Sequence, residues 1–476
     1  MELNLNFTQK ISNIIPTYCV GTNEVNISKL LYRSLYEIEN NQLRKDLVKE
    51  DTHNDEFTNW TITISDFEWS DGSKGSVADL VSTWEFIVKN NLHNASYLLN
   101  IKGAKEFQRG STSEISGLTI IDELKISIKL NNPLPYLREM LANVNFAPMK
   151  IFKNQLQPYS LEDYRSNKQI ITNNYKFIKS WNESELVIED RRSFKSYKQY
   201  NFTFSNDYAL ILKKFKENKL HIHDGGIIDG DPNSKELSDY LEYYEFLSTY
   251  YLFFNMSRET KIPQDLRRKM MQKIHQNEKF IMGMDKVQSD RLVPGSIRNW
   301  EKKKVGSEQN IGNKKYIQSE PLIFICNDEM PYVDLSMRLI DLWKKEIQID
   351  IKLEVYSWNE FISKLSSGDY DIARAGWVAD FPHPHSFYEV MVSNSSSNFA
   401  KWNNKEFDEL FRLSKLTDEQ EKANEYFSNM DYLIDREVPI IPIYEHKLRQ
   451  LISPNVAHFD ISTTGVINYR TTKLKF

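Results

Sequence analysis

The chain has two cysteines in 476 residues, Cys19 and Cys326. That excludes a disulfide framework and a cysteine-rich zinc site. Far apart in sequence, the two read as buried free thiols. Glycine is scarce, at 16 residues, which excludes collagen-like and glycine-rich classes. No run of about 20 apolar residues occurs, so no segment reads as a bilayer-spanning helix. Basic charge is not in excess: 61 Lys and Arg stand against 66 Asp and Glu, a net −5. A general electrostatic attraction to nucleic acid or anionic membrane is therefore not expected. The opening Met1-Glu2-Leu3-Asn4-Leu5 has no basic region followed by an apolar one. Two readings of that start stand open: a cytosolic chain, or a mature secreted domain whose leader is gone. Phosphate-loop, dinucleotide-turn, zincin and nucleophile-elbow motifs are all missing, which weakens an enzyme reading.

What is present is ordinary apolar content, 40%, and a high aromatic share, 13%. The apolar material is enough to bury a core, and the aromatics fit either a large ligand cavity or a large core. The length suggests roughly three domains. Strand and helix periods interleave. Phe57 to Ile64 alternates like a strand, and Glu68 to Gly72 has turn chemistry. Ser76, with Asp79 three residues on, caps a helix whose apolar face is Val77, Leu80, Val81, Trp84 and Ile87. Leu118 to Leu130 reads as two strands around Asp122-Glu123, closed by Pro133 and Pro135. A short helix is expected over Ala209 to Phe215, a strand over Lys219 to Asp224, and an aromatic strand over Thr249 to Asn255. Further on, Leu335 to Lys345 reads as helix and Ile347 to Val355 as strand. Trp358 to Leu365 is helix and Tyr370 to Ala375 strand. Thr417 with Gln420 opens a helix to about Asp435. The prolines of Val438 to Tyr444 place that strand at an edge or a start. The alternation predicts an α/β chain of more than one domain.

Two His-x-His pairs, His221/His223 and His383/His385, have a spacing that strands can offer to a metal. No cysteine or third histidine lies nearby in sequence, so no metal or cofactor is expected. The informative segment is Asp371 to Phe387. A strand reaches Arg374-Ala375-Gly376-Trp377, and an acid follows at Asp380. Gly376 lets another backbone approach, Trp377 offers a flat wall, Asp380 suits an ammonium and Arg374 a carboxylate. On these residues alone, a structural ion pair beside a core tryptophan is the simpler account.

Longer stretches resemble the extracytoplasmic solute-binding proteins of peptide ABC importers, the oligopeptide-binding OppA type of family 5. Glu68 to Gly72 followed by Ser76 to Leu80 resembles the family's WSDG-x-x-TAEDF signature. Asn26-Ile27-Ser28 with Leu31 to Leu35 resembles its early helix, and Ala95 to Leu98 its ASYL segment. Asn255, Pro263 and Leu266 to Arg268 resemble a helix start. Ala373 to Asp380 resembles RAGWCADY, and Ser393 to Ser396 the SNSS that follows it. The shared order covers nearly the whole chain.

The resemblance implies a bilobal periplasmic-binding-protein fold of type II, cluster C-like, with an extra small domain. Lobe I is expected to take 1–32, 157–247 and 445–476, the small domain 33–156, and lobe II 248–444. It implies capture of an extended oligopeptide between two closing lobes and delivery to an ABC permease and ATPase complex, with no catalysis. A cytosolic sensor of the same fold, or a carrier of nickel chelates or peptidoglycan fragments, are the alternatives. An extracytoplasmic monomer is implied, in the periplasm or as a cell-surface lipoprotein. It would reach the membrane only through a leader or anchor not in this sequence.

Residue by residue, Asp380 is implied to anchor the peptide ammonium, and Arg374, Ala375, Gly376, Trp377 and Val378 to pair with its backbone. Arg374 is implied in holding the ligand carboxylate. Tyr97 and Trp358 match pocket aromatics, and Tyr332 stands where the family has a histidine. Val20 replaces a pocket glutamate. Val378 replaces a cysteine and Ser248 its partner, so the family's bridge is absent here. Asn173-Asn174 stands where a glycine turn is common, and the stretch from Gly283 to Tyr316 is shorter than in the family.

Overall fold

A computed structural model of the chain describes residues 1–475 apart from 12, 20, 93, 152–170, 173–175, 193–196, 225–233, 278–284, 304–315, 317, 396 and 418. Two compact units divide it: 1–244 with 448–476, and 245–447. The chain passes between them twice, each time inside a long strand.

In the first unit, β1 (Glu2–Phe7) alternates, and Leu3, Leu5 and Phe7 enter the core. Helix α1 (Thr22–Leu31) follows. Strands β2 (Val48–His53) and β3 (Asn59–Ile64) come next, then α2 (Val77–Lys89). Ser76 and Asp79 close the expected capping box, with the Ser76 amide donating to the Asp79 carboxylate at 2.9 Å. Val77, Leu80, Trp84 and Ile87 are buried along one stripe of α2. The block Leu118 to Leu130 forms β4 (Leu118–Asp122) and β5 (Lys125–Lys129), an antiparallel pair. These make a separate four-stranded sheet in the order β2-β3-β5-β4. A second sheet holds β1 with β6 (Lys176–Trp181), β7 (Glu185–Asp190) and β8 (Gln199–Phe204). After α3 (Tyr208–Lys216) comes β9 (Ile222–His223), two residues where six were expected. Both β8 and β9 run parallel to β1.

The aromatic strand β10 (Leu241–Phe254) starts eight residues earlier than expected. In the second unit it is buried on both faces, and period two sorts its side chains. Tyr251 and Phe253 join one core cluster; Tyr250, Leu252 and Phe254 join another. Helix α4 (Gln264–His275) begins directly after Pro263. Strand β11 (Lys286–Gln288) is short. Then come β12 (Leu322–Asn327), α5 (Met330–Ile347), β13 (Ile351–Tyr356) and α6 (Trp358–Ser367). Gly368 ends α6 at φ 74°, the left-handed region where a Cβ is costly. Strand β14 (Ile372–Val378) and helices α7 (Lys405–Ser414) and α8 (Gln420–Glu437) follow. Thr417 does not cap α8: Glu419 occupies that position, and its amide donates to the Thr417 hydroxyl at 3.2 Å in a local turn.

The last long strand, β15 (Ile440–Ile452), is interior and not an edge, and its prolines fall at its start, the other position they were read to mark. Within the second unit the order is β13-β12-β14-β10-β15, and β11 pairs with β15 at residues 444–446. Pro439 precedes the strand and Pro442 lies before that paired stretch, so neither removes a bond from it. Helices cover both faces of this sheet, as an α/β layer requires.

Candidate functional site

Strand β12 is parallel to both β13 and β14. Their carboxyl ends bring together Asn327, Tyr356 and the run from Arg374, which is where open α/β sheets offer a binding surface. Helix α5 leaves β12 after a short turn and places Tyr332 in its first turn. Helix α6 starts from a Ser357–Glu360 capping box, which fixes Trp358 at its first position. Trp358 is 53% exposed, and Val378 (45%) and Met330 (72%) are exposed beside those same strand ends.

The edges of β14 differ along its length. On one side it pairs antiparallel with β10 from Ile372↔Phe254 to Val378↔Ser248. On the other, β12 pairs only with Ile372 and Ala373. From Arg374 to Val378 the second edge meets no strand among the described residues. Gly376 lies in that stretch, exposed, and a Cβ built on it would have nothing within 4 Å. Such an edge is a template for an added strand.

Arg374 is buried. Its Nη2 donates to Asn327 Oδ1, and its guanidinium carbon lies 3.8 Å over the Tyr332 ring. Phe361 and Trp358 lie farther, at 5.5 and 5.8 Å. No ion pair joins Arg374 to a described carboxylate, and its Nε has no hydrogen-bond acceptor. Nearby, Asn327 Nδ2 is also buried without an acceptor. A buried cation without a counter-charge and a buried donor without an acceptor each carry a cost that an anionic ligand group relieves.

Asp380 follows the strand and is partly buried. The Ala379 amide donates to Leu247 O at 2.8 Å, and the Asp380 amide donates to Ser386 Oγ at 3.1 Å. Burial pushes Glu389 above the usual carboxylate range, opposed by the Lys415 charge and assisted to a lesser degree by that of Asp380. Ala375 and Trp377 are half-buried and pack toward the cluster of Tyr251 and Phe253.

The second unit thus gathers Tyr332, Trp358, Arg374, Ala375, Gly376, Trp377, Val378 and Asp380 near one group of strand ends. Tyr97 belongs to the first unit, in the short helical turn Ala95–Leu98, edge-on to Phe146 at 6.5 Å. Val20 and Asn173-Asn174 lie outside the described residues, as do 283–284 and 304–315. Ser248 and Val378, where the resembling family has cysteines, are directly opposed across the ladder. Sequence reasoning missed Asn327, Phe361, Tyr250 and Tyr444. Tyr250 had a readable signal in the aromatic run of Thr249 to Asn255, whereas Asn327 had none beyond ending an apolar run.

The histidine pairs are packed. His383 and His385 stack at 4.5 Å, and His385 abuts Phe411 and Phe427 with Nε2 2.8 Å from Ser414 Oγ. Burial, helped by the Lys415 charge, lowers His383 to about 4, and burial with the His383 and Lys415 charges holds His385 well below its ordinary value. His223 is fully buried on β9, and burial lowers it to about 4. Among the described residues no group of three or more His, Cys, Asp or Glu is disposed to hold a metal. Both cysteines are free and buried. No described helix is long and apolar enough to cross a membrane.

Comparison with known proteins agrees with this geometry. Residues 42–275 match the model of the bacterial extracellular solute-binding proteins, family 5 middle region. The periplasmic oligopeptide-binding protein OppA of Escherichia coli is 25% identical, the alignment covering 94% of this chain and 88% of that protein. The periplasmic murein peptide-binding protein MppA of E. coli is 21% identical over 99% and 92%. Among solved structures, OppA of Haemophilus influenzae in complex with RPPGFSPFR superposes with a TM-score of 0.75 at 18% identity, covering 100% and 99% of the two chains. These neighbours share the bilobal periplasmic-binding fold, and over residues 42–275 the chain is similar to the bacterial extracellular solute-binding proteins of family 5.

Proposed function

We propose that this chain captures oligopeptides in extended form outside the cytoplasm, as the solute-binding component of an ABC importer. The observation that carries the reading is the unpaired edge of β14 from Arg374 to Val378, with a charged group at each end. Main-chain hydrogen bonds to that edge give affinity independent of ligand sequence. Asp380 receives the ligand ammonium, and Arg374 supplies a cation for its carboxylate. Closure of the two units on the ligand is part of the reading, supported by the family resemblance. So is handover to a membrane permease and its ATPase, and so is release of the peptide uncleaved. The further division of the first unit, with 33–156 as a small domain, is supported by the separate β2-β3-β5-β4 sheet.

Titration calorimetry with a short free-ended peptide tests the reading. Removing a buried charged partner costs about 2–5 kcal/mol. Asp380→Ala is therefore expected to weaken binding by roughly 30-fold or more, and an N-acetylated peptide should fail in the same way. Unchanged affinity in the variant contradicts the role. A murein tripeptide belongs in the same titration, because MppA is among the relatives. A large preference for it would narrow the ligand class.

A further inference from the structure

Behind Arg374 stands a column of three parallel tyrosines. Tyr332 of α5 lies 5.6 Å from Tyr250 of β10, with ring planes 7° apart. Tyr250 lies 4.8 Å from Tyr444 of β15, with planes 3° apart. The Arg374 guanidinium covers the outer face of the column at 3.8 Å from the Tyr332 ring centre. At the far end, Lys286 Nζ lies 5.4 Å over Tyr444. Tyr250 and Tyr444 are buried, and Tyr332 is half-buried.

Two features separate this column from ordinary core packing. Its open end meets a buried cation that has no described carboxylate within ion-pair distance, although a buried charge normally demands one. The donors left over there, Arg374 Nε and Asn327 Nδ2, have no acceptors among the described residues. The ring face compensates part of the missing counter-charge through its quadrupole and fixes the guanidinium plane. A planar cation held in this way is prepared for an anion that comes from outside. The Tyr332 ring is backed by two others and cannot tilt away without displacing residues on two strands.

We infer that Tyr332, backed by Tyr250 and Tyr444, is a positioning residue: the column holds the Arg374 guanidinium so that the site selects ligands ending in a free carboxylate. The inference rests on the peptide-binding reading and deepens it. Tyr332 acts through Arg374, so its effect belongs in the discrimination between ligands and not in binding as a whole.

The experiment titrates one short peptide and its C-terminal amide against four proteins: wild type, Tyr332→Leu, Tyr332→Phe and Tyr444→Leu. Wild type is expected to prefer the acid. Tyr332→Leu should reduce that preference by on the order of tenfold, the scale of a desolvated cation–π contact. Its affinity for the amide should change less than about twofold on the same argument. Tyr332→Phe keeps the ring and should restore the preference. Tyr444→Leu removes only the far ring and should give a smaller loss of preference, which keeps the test open if Tyr332→Leu folds poorly. An unaltered acid-to-amide ratio in both leucine variants overturns the inference alone. Equal weakening of both peptides overturns it too, because that marks a purely structural column. Failure of wild type to bind either peptide overturns the reading of function as well.

Discussion

Each unit ends its parallel strands on a buried charge, and the two charges are treated in opposite ways. In the first unit Asp224 follows β9 and lies beside the end of β1. It accepts a hydrogen bond from the Thr8 amide at 2.9 Å, with the Thr8 hydroxyl at 3.5 Å and Asn23 Nδ2 completing the set. Burial still pushes its carboxyl up to about 6. In the second unit Arg374 uses one donor on Asn327 and leans on rings, and its Nε is left over. A charge satisfied by its own chain belongs to the architecture; a charge left over belongs to the ligand. Charge at a strand end therefore does not identify a site until its hydrogen bonds are counted.

The strongest way to break the comparison is Arg374→Met. Peptide binding should weaken by roughly 30-fold or more, from loss of a charged partner. The unfolding midpoint should hold or rise, because an unpaired buried charge has been replaced by an apolar chain of similar reach. Calorimetry and a thermal melt on the same preparation check both halves. A large loss of stability with binding intact would place Arg374 with Asp224, as architecture.

Acid sharpens the contrast between stability and binding. His383 is neutral in the fold down to about pH 4, while an unfolded histidine takes its proton near 6.5. Between those values the unfolded chain binds more protons, so stability falls as pH drops from about 6.5 toward 4. The loss reaches on the order of 3 kcal/mol for this one group. Melts across that window should show a steeper fall for wild type than for His383→Phe. Parallel curves would remove His383 as the cause.

The smallest expected effect is that of Asp224→Asn on ligand affinity. The amide keeps an acceptor for Thr8, so binding should change less than about twofold. A tenfold change would mean that Asp224 serves the ligand, and the two strand ends would no longer differ in kind.

How far the sequence announced this depends on the range of the signal. The α2 cap was legible because Ser76 and Asp79 satisfy the helix terminus locally. The β4–β5 hairpin was legible because alternation and turn chemistry coincide. The early part of β10 was not, since Leu241 to Phe246 mixes glutamates with aromatics and looks like surface. The prolines of β15 marked its start, with Pro439 before it and Pro442 at its third residue, but they left open whether the strand was an edge, which the sheet order decides. In the site, Gly376, Trp377 and Asp380 could be read as a contiguous motif, and the family resemblance gave them roles. The tyrosine column could not, because Tyr250, Tyr332 and Tyr444 come from three separate elements and meet only through the sheet order.

The central claim is that a guest backbone completes the open side of β14. Hydrogen–deuterium exchange with and without a saturating short peptide tests it most directly. The account predicts slower exchange in fragments covering residues 374–379 on adding peptide, with little change in β12. Tight peptide binding that leaves exchange across 374–379 untouched would contradict it.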